Sequence, residues 1–297
     1  MAPSNPIHVP VLAEEVLEWL KPEPGQTLVD GTLGGGGHTG LLAERVAPNG
    51  MVISLDRDLR AVESARDRLA ELPVRVVQAD FREIPSVLAE LGLFQVHGVL
   101  LDLGLSSDQL ADDERGFSFD AGGTLDLRFD ISQGEPAWRL LNRLNAERLA
   151  DILFHWGEER FSRRIARNIV ETRRSAPIRT AAQLADLVRR CVPRSRNHPI
   201  DPATRTFQAL RIAVNDELGA LEQALEQIPD CLQVGGRLAV ISFHSLEDRR
   251  VKRAFRGDSR YMILTKKPIR PIQSEVLRNP RSRSAKLRVA ERAPVSN

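Results

Sequence analysis

The residues best suited to chemistry are two acids flanking a run of glycines. Leu28-Val29-Asp30 is a short apolar run ending in a carboxylate, and Gly31-Thr32-Leu33-Gly34-Gly35-Gly36-Gly37-His38-Thr39-Gly40 follows it. Glycines let a backbone approach a ligand closely and take up positive φ. Free amides at a helix start favour electron-rich ligand atoms. Gly35, Gly37 and Gly40 form a G-x-G-x-x-G, but four consecutive glycines satisfy many patterns, a flexible surface turn among them. Asp56 discriminates. It ends a second apolar run, Met51 to Leu55, about 20 residues past the loop, where nucleotide folds hold ribose hydroxyls. A carboxylate accepts two hydroxyl hydrogen bonds at once. Together these features point to a nucleoside cofactor.

Regular elements must position these groups. Leu41, Leu42 and Val46 begin a helical pattern that Pro48-Asn49-Gly50 stops. Upstream, Leu12, Val16, Trp19 and Leu20 mark an amphipathic helix. After Asp56, the residues Val62, Ala65 and Leu69 give a helix, and Val74, Val76 and Val77 a strand leading to Asp80-Phe81. Leu88 and Leu91 support the next helix, and Gly98 to Leu103 a fourth strand through Asp102. Strands alternating with helices predict a parallel sheet with right-handed crossovers. Ligands in such sheets bind past the carboxyl ends of the strands. Asp30, Asp56, Asp80 and Asp102 are therefore expected on one edge, converging on one ligand.

From Gly104 to Phe119 the chain is a loop of small polar groups beside Phe117 and Phe119, either a capped turn or a substrate loop. Helical spacing then dominates, with Phe161, Ile165 and Ile169 separated by arginines 160, 163, 164 and 167. Phe207, Leu210, Val214, Leu218, Leu221, Leu225 and Ile228 predict one long helix back to the sheet. Gly235-Gly236 reads as a turn before a fifth strand, Arg237 to Phe243, which ends at His244-Ser245. Two further strand-like runs start at Tyr261 and Lys286. They fit a seven-stranded methyltransferase sheet whose last two strands form an antiparallel edge.

Charge is unevenly divided. Residues 1–150 carry 13 Lys/Arg against 24 Asp/Glu, residues 151–215 carry 13 against 6, and residues 245–297 carry 15 against 5. Two basic segments in an otherwise acidic chain suggest a polyanion partner, RNA or DNA. Cys191 and Cys231 form neither a disulfide framework nor a C-x-x-C metal pair, so no metal is expected and a reducing cytoplasm fits. No apolar run approaches a membrane span, and the N-terminus lacks the pattern of a secretory signal.

Nicotinamide oxidoreductases and S-adenosylmethionine methyltransferases share the glycine loop and the second-strand acid. Asp80-Phe81 after strand three and the polar loop 102–109 after strand four suit the methyltransferase. Asp30-Gly-Thr-Leu-Gly-Gly-Gly-Gly-His-Thr, Leu101-Asp-Leu-Gly-Leu-Ser-Ser-Asp-Gln-Leu, Glu114-Arg-Gly-Phe-Ser-Phe, Gly157-Glu-Glu-Arg-Phe, His198-Pro with Ala203-Thr-Arg-Thr-Phe-Gln-Ala-Leu-Arg, Ile241-Ser-Phe-His-Ser-Leu-Glu-Asp-Arg and Asn279-Pro-Arg-Ser-Arg-Ser-Ala-Lys-Leu-Arg follow in order. In these motifs the chain resembles the bacterial small-subunit ribosomal RNA cytosine-N4 methyltransferases, the RsmH (MraW) family, over nearly its whole length.

The resemblance implies a class I S-adenosylmethionine-dependent methyltransferase: an α/β, Rossmann-like seven-stranded sheet with an inserted, mostly helical domain. Residues 1–109 and 212–297 would form the methyltransferase domain and 110–211 the insert, for RNA recognition. S-adenosyl-L-methionine is the implied methyl donor. A decoding-region cytidine of 16S ribosomal RNA, in the small ribosomal subunit, is the implied acceptor. Oligomeric state stays open, a homodimer included. Carried over by motif, Gly36, Gly37 and His38 contact the cofactor in the loop, Asp56 its ribose and Phe81 its adenine. Asp102 and Gln109 lie near its methionine end. Asp80 departs from the family pattern and takes no role from it. Between Gly257-Asp258 and Tyr261 the chain is shorter than many members. Transfer to an exocyclic amine calls for acceptors for its hydrogens. Candidates are the carbonyls around Leu103-Gly104, the hydroxyls of Ser106 and Ser107, and His244 as a proton acceptor or base contact, or else as a structural histidine. A non-catalytic RNA-binding factor and a nicotinamide oxidoreductase are the rival readings.

Overall fold

The computed structural model describes residues 10–119, 122–193 and 201–294; His8 and the His198-Pro199 motif lie outside the described residues. Two units divide the chain: residues 1–107 with 218–297, and residues 108–217.

The first unit is built on one sheet of seven strands. They are β1 (Thr27–Asp30), β2 (Met51–Asp56), β3 (Val74–Gln78), β4 (Val96–Asp102), β5 (Leu232–Ser242), β6 (Tyr261–Ile263) and β7 (Lys286–Arg292). Their order across the sheet is β3-β2-β1-β4-β5-β7-β6. The first five run parallel, and β7 lies antiparallel between β5 and β6. The fold is thus the α/β class I methyltransferase arrangement, with its sequence direction reversing between β1 and β4. Such a switch point opens a crevice at the strand ends.

Helices α1 (Ala13–Leu20), α2 (Gly37–Val46), α3 (Leu59–Arg68) and α4 (Ile84–Glu90) accompany the first strands. Strand residues alternate between two cores, as the pleat requires. Leu28, Val52, Leu100 and Ile241 pack with Val16, Leu20, Leu42 and Val46 on one face. Val29, Ile53, Leu101 and Val240 pack with Leu88 and, from later helices, Leu225, Ile228 and Val251 on the other. Strands covered on both faces read as the continuous apolar runs seen in the sequence.

The second unit holds α5 (Ser107–Ala111), α6 (Ala137–Arg143), α7 (Ala146–Gly157), α8 (Ser162–Ser175), α9 (Ala181–Cys191) and α10 (Thr204–Asn215). Ile165, Ile169, Leu184 and Val188 are buried as their periodicity predicts, while Phe161, just before α8, is exposed. Phe117 stacks on Phe129 with ring centroids 6.0 Å apart, and Phe119 meets Phe207 edge-on at 4.8 Å. The loop aromatics thus serve internal packing.

The chain returns through α11 (Glu217–Cys231), then α12 (Ser245–Gly257) and the short α13 (Gln273–Arg278). The single long helix expected here is two. Asp216 has φ +51° and ends α10. The buried Asn215 side chain donates to the carbonyl of Leu127 (2.7 Å) and accepts from the amide of Phe129 (2.8 Å). A side chain committed to a remote loop fixes the break, which apolar periodicity cannot register. Gly235-Gly236 falls within the span of β5 and not before it. Gly235 has φ +82°, and the register to β4 jumps there from Val96–Leu232 to Gly98–Arg237. Continuous pairing with β4 and β7 begins at Arg237, the expected first residue of the strand. The connection from Gly257 to Tyr261 is a tight turn, with the Tyr261 amide donating to the Asp258 carbonyl (3.1 Å). No helix among the described residues is long and apolar enough to cross a membrane.

Candidate active site

The glycine loop lies across the carboxyl ends of three strands. The Gly31 amide donates to Leu100 of β4 (2.9 Å) and the Leu33 amide to Leu55 of β2 (2.8 Å). Gly34 donates to the Asp56 carboxylate (2.8 Å). Thr32 joins loop to β4, its hydroxyl accepting from the Asp102 amide at 2.7 Å. Close approach explains Gly31. A Cβ there would stand 2.5 Å from Leu101 and 2.9 Å from Phe81. Gly36, at φ +77°, precedes α2 in a conformation that side chains disfavour. Gly40 makes an intrahelical bond back to Gly36 (2.9 Å), so Gly37, His38 and Thr39 form the first turn of α2, whose amides point toward its N-terminal end.

Of the four strand-end acids, two hold the protein together. Asp30 is fully buried and accepts from the hydroxyl of Thr39 (2.7 Å) and the amide of Thr32 (3.0 Å). Burial pushes its carboxyl up from the ordinary value, against those hydrogen bonds. Asp80 caps the 3-10 turn Phe81–Glu83 and faces Arg57 (3.3 Å) and Arg82 (3.2 Å). The expectation that all four converge on a ligand is corrected accordingly: these two carboxylates are buried among their protein partners.

Asp56 also accepts from protein, from the amides of Gly34 (2.8 Å) and Asp58 (2.9 Å), but it and Asp102 reach the surface. Both are half-buried. Burial raises Asp56 to about 6, although the amides of Asp58 and Gly34 bind it. Burial, with the charges of Asp30 and Glu247 adding to it, raises Asp102 to about 7, while the Gly104 amide opposes the shift. Asp102 Oδ1 is buried and accepts no hydrogen bond from the described residues, while Oδ2 stands 3.7 Å from Nε2 of buried His38. Such a carboxylate matches a cationic donor.

Phe81 is half-buried beyond β3, with its Cβ against Gly31. Ser106 is buried, its Cβ 3.4 Å from where a Cβ on Gly34 would stand. Ser107 opens α5, and its side chain lies outside the described residues. Gln109 is buried in α5, within the second unit. The structure thus brings Gly36, Gly37, His38, Asp56, Phe81, Asp102 and Ser106 to one edge of the first unit.

His244 has a structural task. It is the N-cap of α12, with Nδ1 accepting from the Glu247 amide (3.3 Å) and Nε2 3.0 Å from Glu247 Oε1. Two residues beside it lie in the Ile241-to-Arg249 motif but took no role from it. Glu247 is buried, and its Oε2 accepts from the amides of Phe243 (2.8 Å) and His244 (3.2 Å). The acid three residues after a capping residue was the available signal. Phe243, the expected end of β5, packs against Gly104, where a Cβ would stand 2.8 Å from the ring.

This donor set fits a nucleoside with a cationic end: loop amides, a carboxylate at the second strand, a flat ring beyond the third and an unsatisfied carboxylate oxygen at the fourth. The model of the MraW methylase family matches residues 5–293. A ribosomal RNA small subunit methyltransferase H from Rhodopirellula baltica is 51% identical over 296 residues, spanning 96% of this chain and 91% of that protein. Proteins of the same name from a Cyanothece species and from Deinococcus radiodurans are each 52% identical, spanning 96% of this chain and 95% and 90% of theirs. The chain therefore belongs to the MraW methylase family, and its cofactor is S-adenosyl-L-methionine.

Proposed function

We propose that the protein methylates N4 of a cytidine in the decoding region of 16S ribosomal RNA, within the small ribosomal subunit and in the cytoplasm. The observation that carries this is identity at about half of all positions, over nearly the full length, to relatives named ribosomal RNA small subunit methyltransferase H. The cytosine-N4 target rests on the motif resemblance that runs from Asp30 to Arg288.

Bound S-adenosylmethionine supplies an electrophilic methyl group on a sulfonium. Transfer to N4 would release S-adenosylhomocysteine and one N4 proton, which would pass to solvent. Positioning therefore supplies much of the rate. In this proposal Gly36, Gly37 and His38 hold the cofactor against the loop. Asp56 accepts from the ribose hydroxyls, Phe81 covers the adenine, and Asp102 with Gln109 takes the methionine end. Ser106, Ser107 and the carbonyls near Leu103-Gly104 accept the hydrogens of the amine, which localises its lone pair. His244, as the N-cap of α12, holds the turn after β5 through Nδ1, which accepts from the Glu247 amide. A duplex hides the amino group, so the target cytidine is unpaired or extruded. The insert, residues 110–211, and the basic tail grip RNA phosphates.

Incubation of the protein with methyl-tritiated S-adenosylmethionine and unmethylated small subunits, followed by nucleoside analysis, tests the proposal. Label in N4-methylcytidine is expected. Label in another nucleoside, or none, refutes it.

A further inference from the structure

The C-terminal segment carries a feature that the chemistry above does not use. A hollow of about 580 Å³ is lined by Arg270 and Pro271 before α13, Gln273, Val276 and Leu277 on α13, and Pro280 and Arg283 in the 3-10 turn after it. Its lining mixes apolar and polar groups and is open to water: Leu277 is 74% exposed, and neighbouring Ile272 is 63% exposed. Its frame is tied down. Ile269 pairs with Leu287 of β7 through two hydrogen bonds of 2.9 Å. Buried Ser282 donates from its hydroxyl to the Asn279 carbonyl (2.8 Å).

The charge of this segment is predominantly positive. Arg270 and Arg283 line the hollow, and Lys266, Lys267, Arg278 and Arg281 of the same segment are also exposed. Residues 264–285 contain one acid, Glu275. Its carboxylate accepts from the Leu12 amide at 2.8 Å, and it is outnumbered by the cations of the segment. A cup with Val276, Leu277 and two proline rings beside two guanidiniums suits a ligand having a flat apolar face and an adjacent anion.

We infer that this hollow is a subsite for an unpaired nucleotide of the RNA substrate, its base against Leu277 and Val276 and its phosphates at Arg270 and Arg283. This rests on the proposed action on ribosomal RNA, which brings a phosphate with every nucleotide. A base inside a duplex presents no free face, so the subsite selects single-stranded RNA. An acidic, amphipathic segment of a ribosomal protein is the competing occupant.

The test compares the wild-type full-length protein with the Arg270→Ala/Arg283→Ala double variant and with Leu277→Ser. RNA binding is measured over a range of salt, on naked 16S ribosomal RNA and on assembled subunits. Each lost single-strand phosphate contact lowers the slope of log affinity against log salt by about 0.7, so the double variant should lose about 1.4. Leu277→Ser should weaken binding roughly three- to tenfold with the slope unchanged. Unpaired RNA should compete with the wild type better than a duplex of equal length, and that preference should shrink in Leu277→Ser. Unchanged S-adenosylhomocysteine affinity in all variants certifies the fold. Wild-type slopes and affinities in both variants overturn the inference and leave the proposed function standing. Loss on assembled subunits alone assigns the hollow to a protein and also overturns it. Absence of label transfer by the wild type defeats the proposed function, while the binding comparison on naked RNA still decides the subsite.

Discussion

Replacing Asp102 by Asn separates the charge of the β4 tip from its shape. Burial first, then the charges of Asp30 and Glu247, raise this carboxyl from 3.8 to about 7. The folded protein therefore holds the Asp102 proton to higher pH than the unfolded chain does. For an acid raised in this way, stability falls as pH climbs from about 4 to about 7 and is level above that. The cost at pH 8 is at most roughly 4 kcal/mol. Asn carries no charge, so the ligand-free variant should melt higher than wild type at pH 8 and equal it near pH 4. Asp56 shifts in the same direction, so the variant keeps part of the pH slope.

Cofactor affinity should show the opposite trend. If the carboxylate form receives the cofactor's ammonium, lowering pH from 8 to 6.5 through a value near 7 weakens wild-type binding about fourfold. The variant should bind more weakly at pH 8 and lack that component. Calorimetry with S-adenosylhomocysteine, in buffers of differing ionisation enthalpy, reads both the affinity and the proton released. Equal affinities in the two proteins, or a wild-type affinity indifferent to pH, would refute the assignment of Asp102 as a charged ligand.

Two other substitutions probe the frame. Gly31→Ala places a methyl 2.5 Å from Leu101 and 2.9 Å from Phe81; it should cost about 1–3 kcal/mol in urea unfolding and weaken cofactor binding, whereas a wild-type unfolding midpoint would contradict the packing described. His244→Asn keeps a good helix cap and should change methyl-transfer kcat by less than about threefold. A loss of about a hundredfold or more with unchanged Tm would return the imidazole to the chemistry.

Much of the first unit was legible in the sequence because parallel strands buried on both faces are written as apolar runs, and each met its acid at the β1, β2 and β4 ends. The glycine loop was legible for the same reason: Gly31 and Gly36 each answer a local demand. What Asp30 and Asp56 do was not legible. Both are strand-end aspartates, and only the partners in space separate them: the Thr39 hydroxyl against Asp30, the backbone amides of Gly34 and Asp58 against Asp56. The break at Asp216 depends on Asn215 reaching residues 127–129, a contact far away in sequence.

The most direct measurement is a crystal structure of the protein with S-adenosylhomocysteine. The nucleoside should lie along the β1–β2–β4 edge, its ribose at Asp56, its adenine at Phe81 and its amino acid end at Asp102. Density for it anywhere else on the protein would contradict the account.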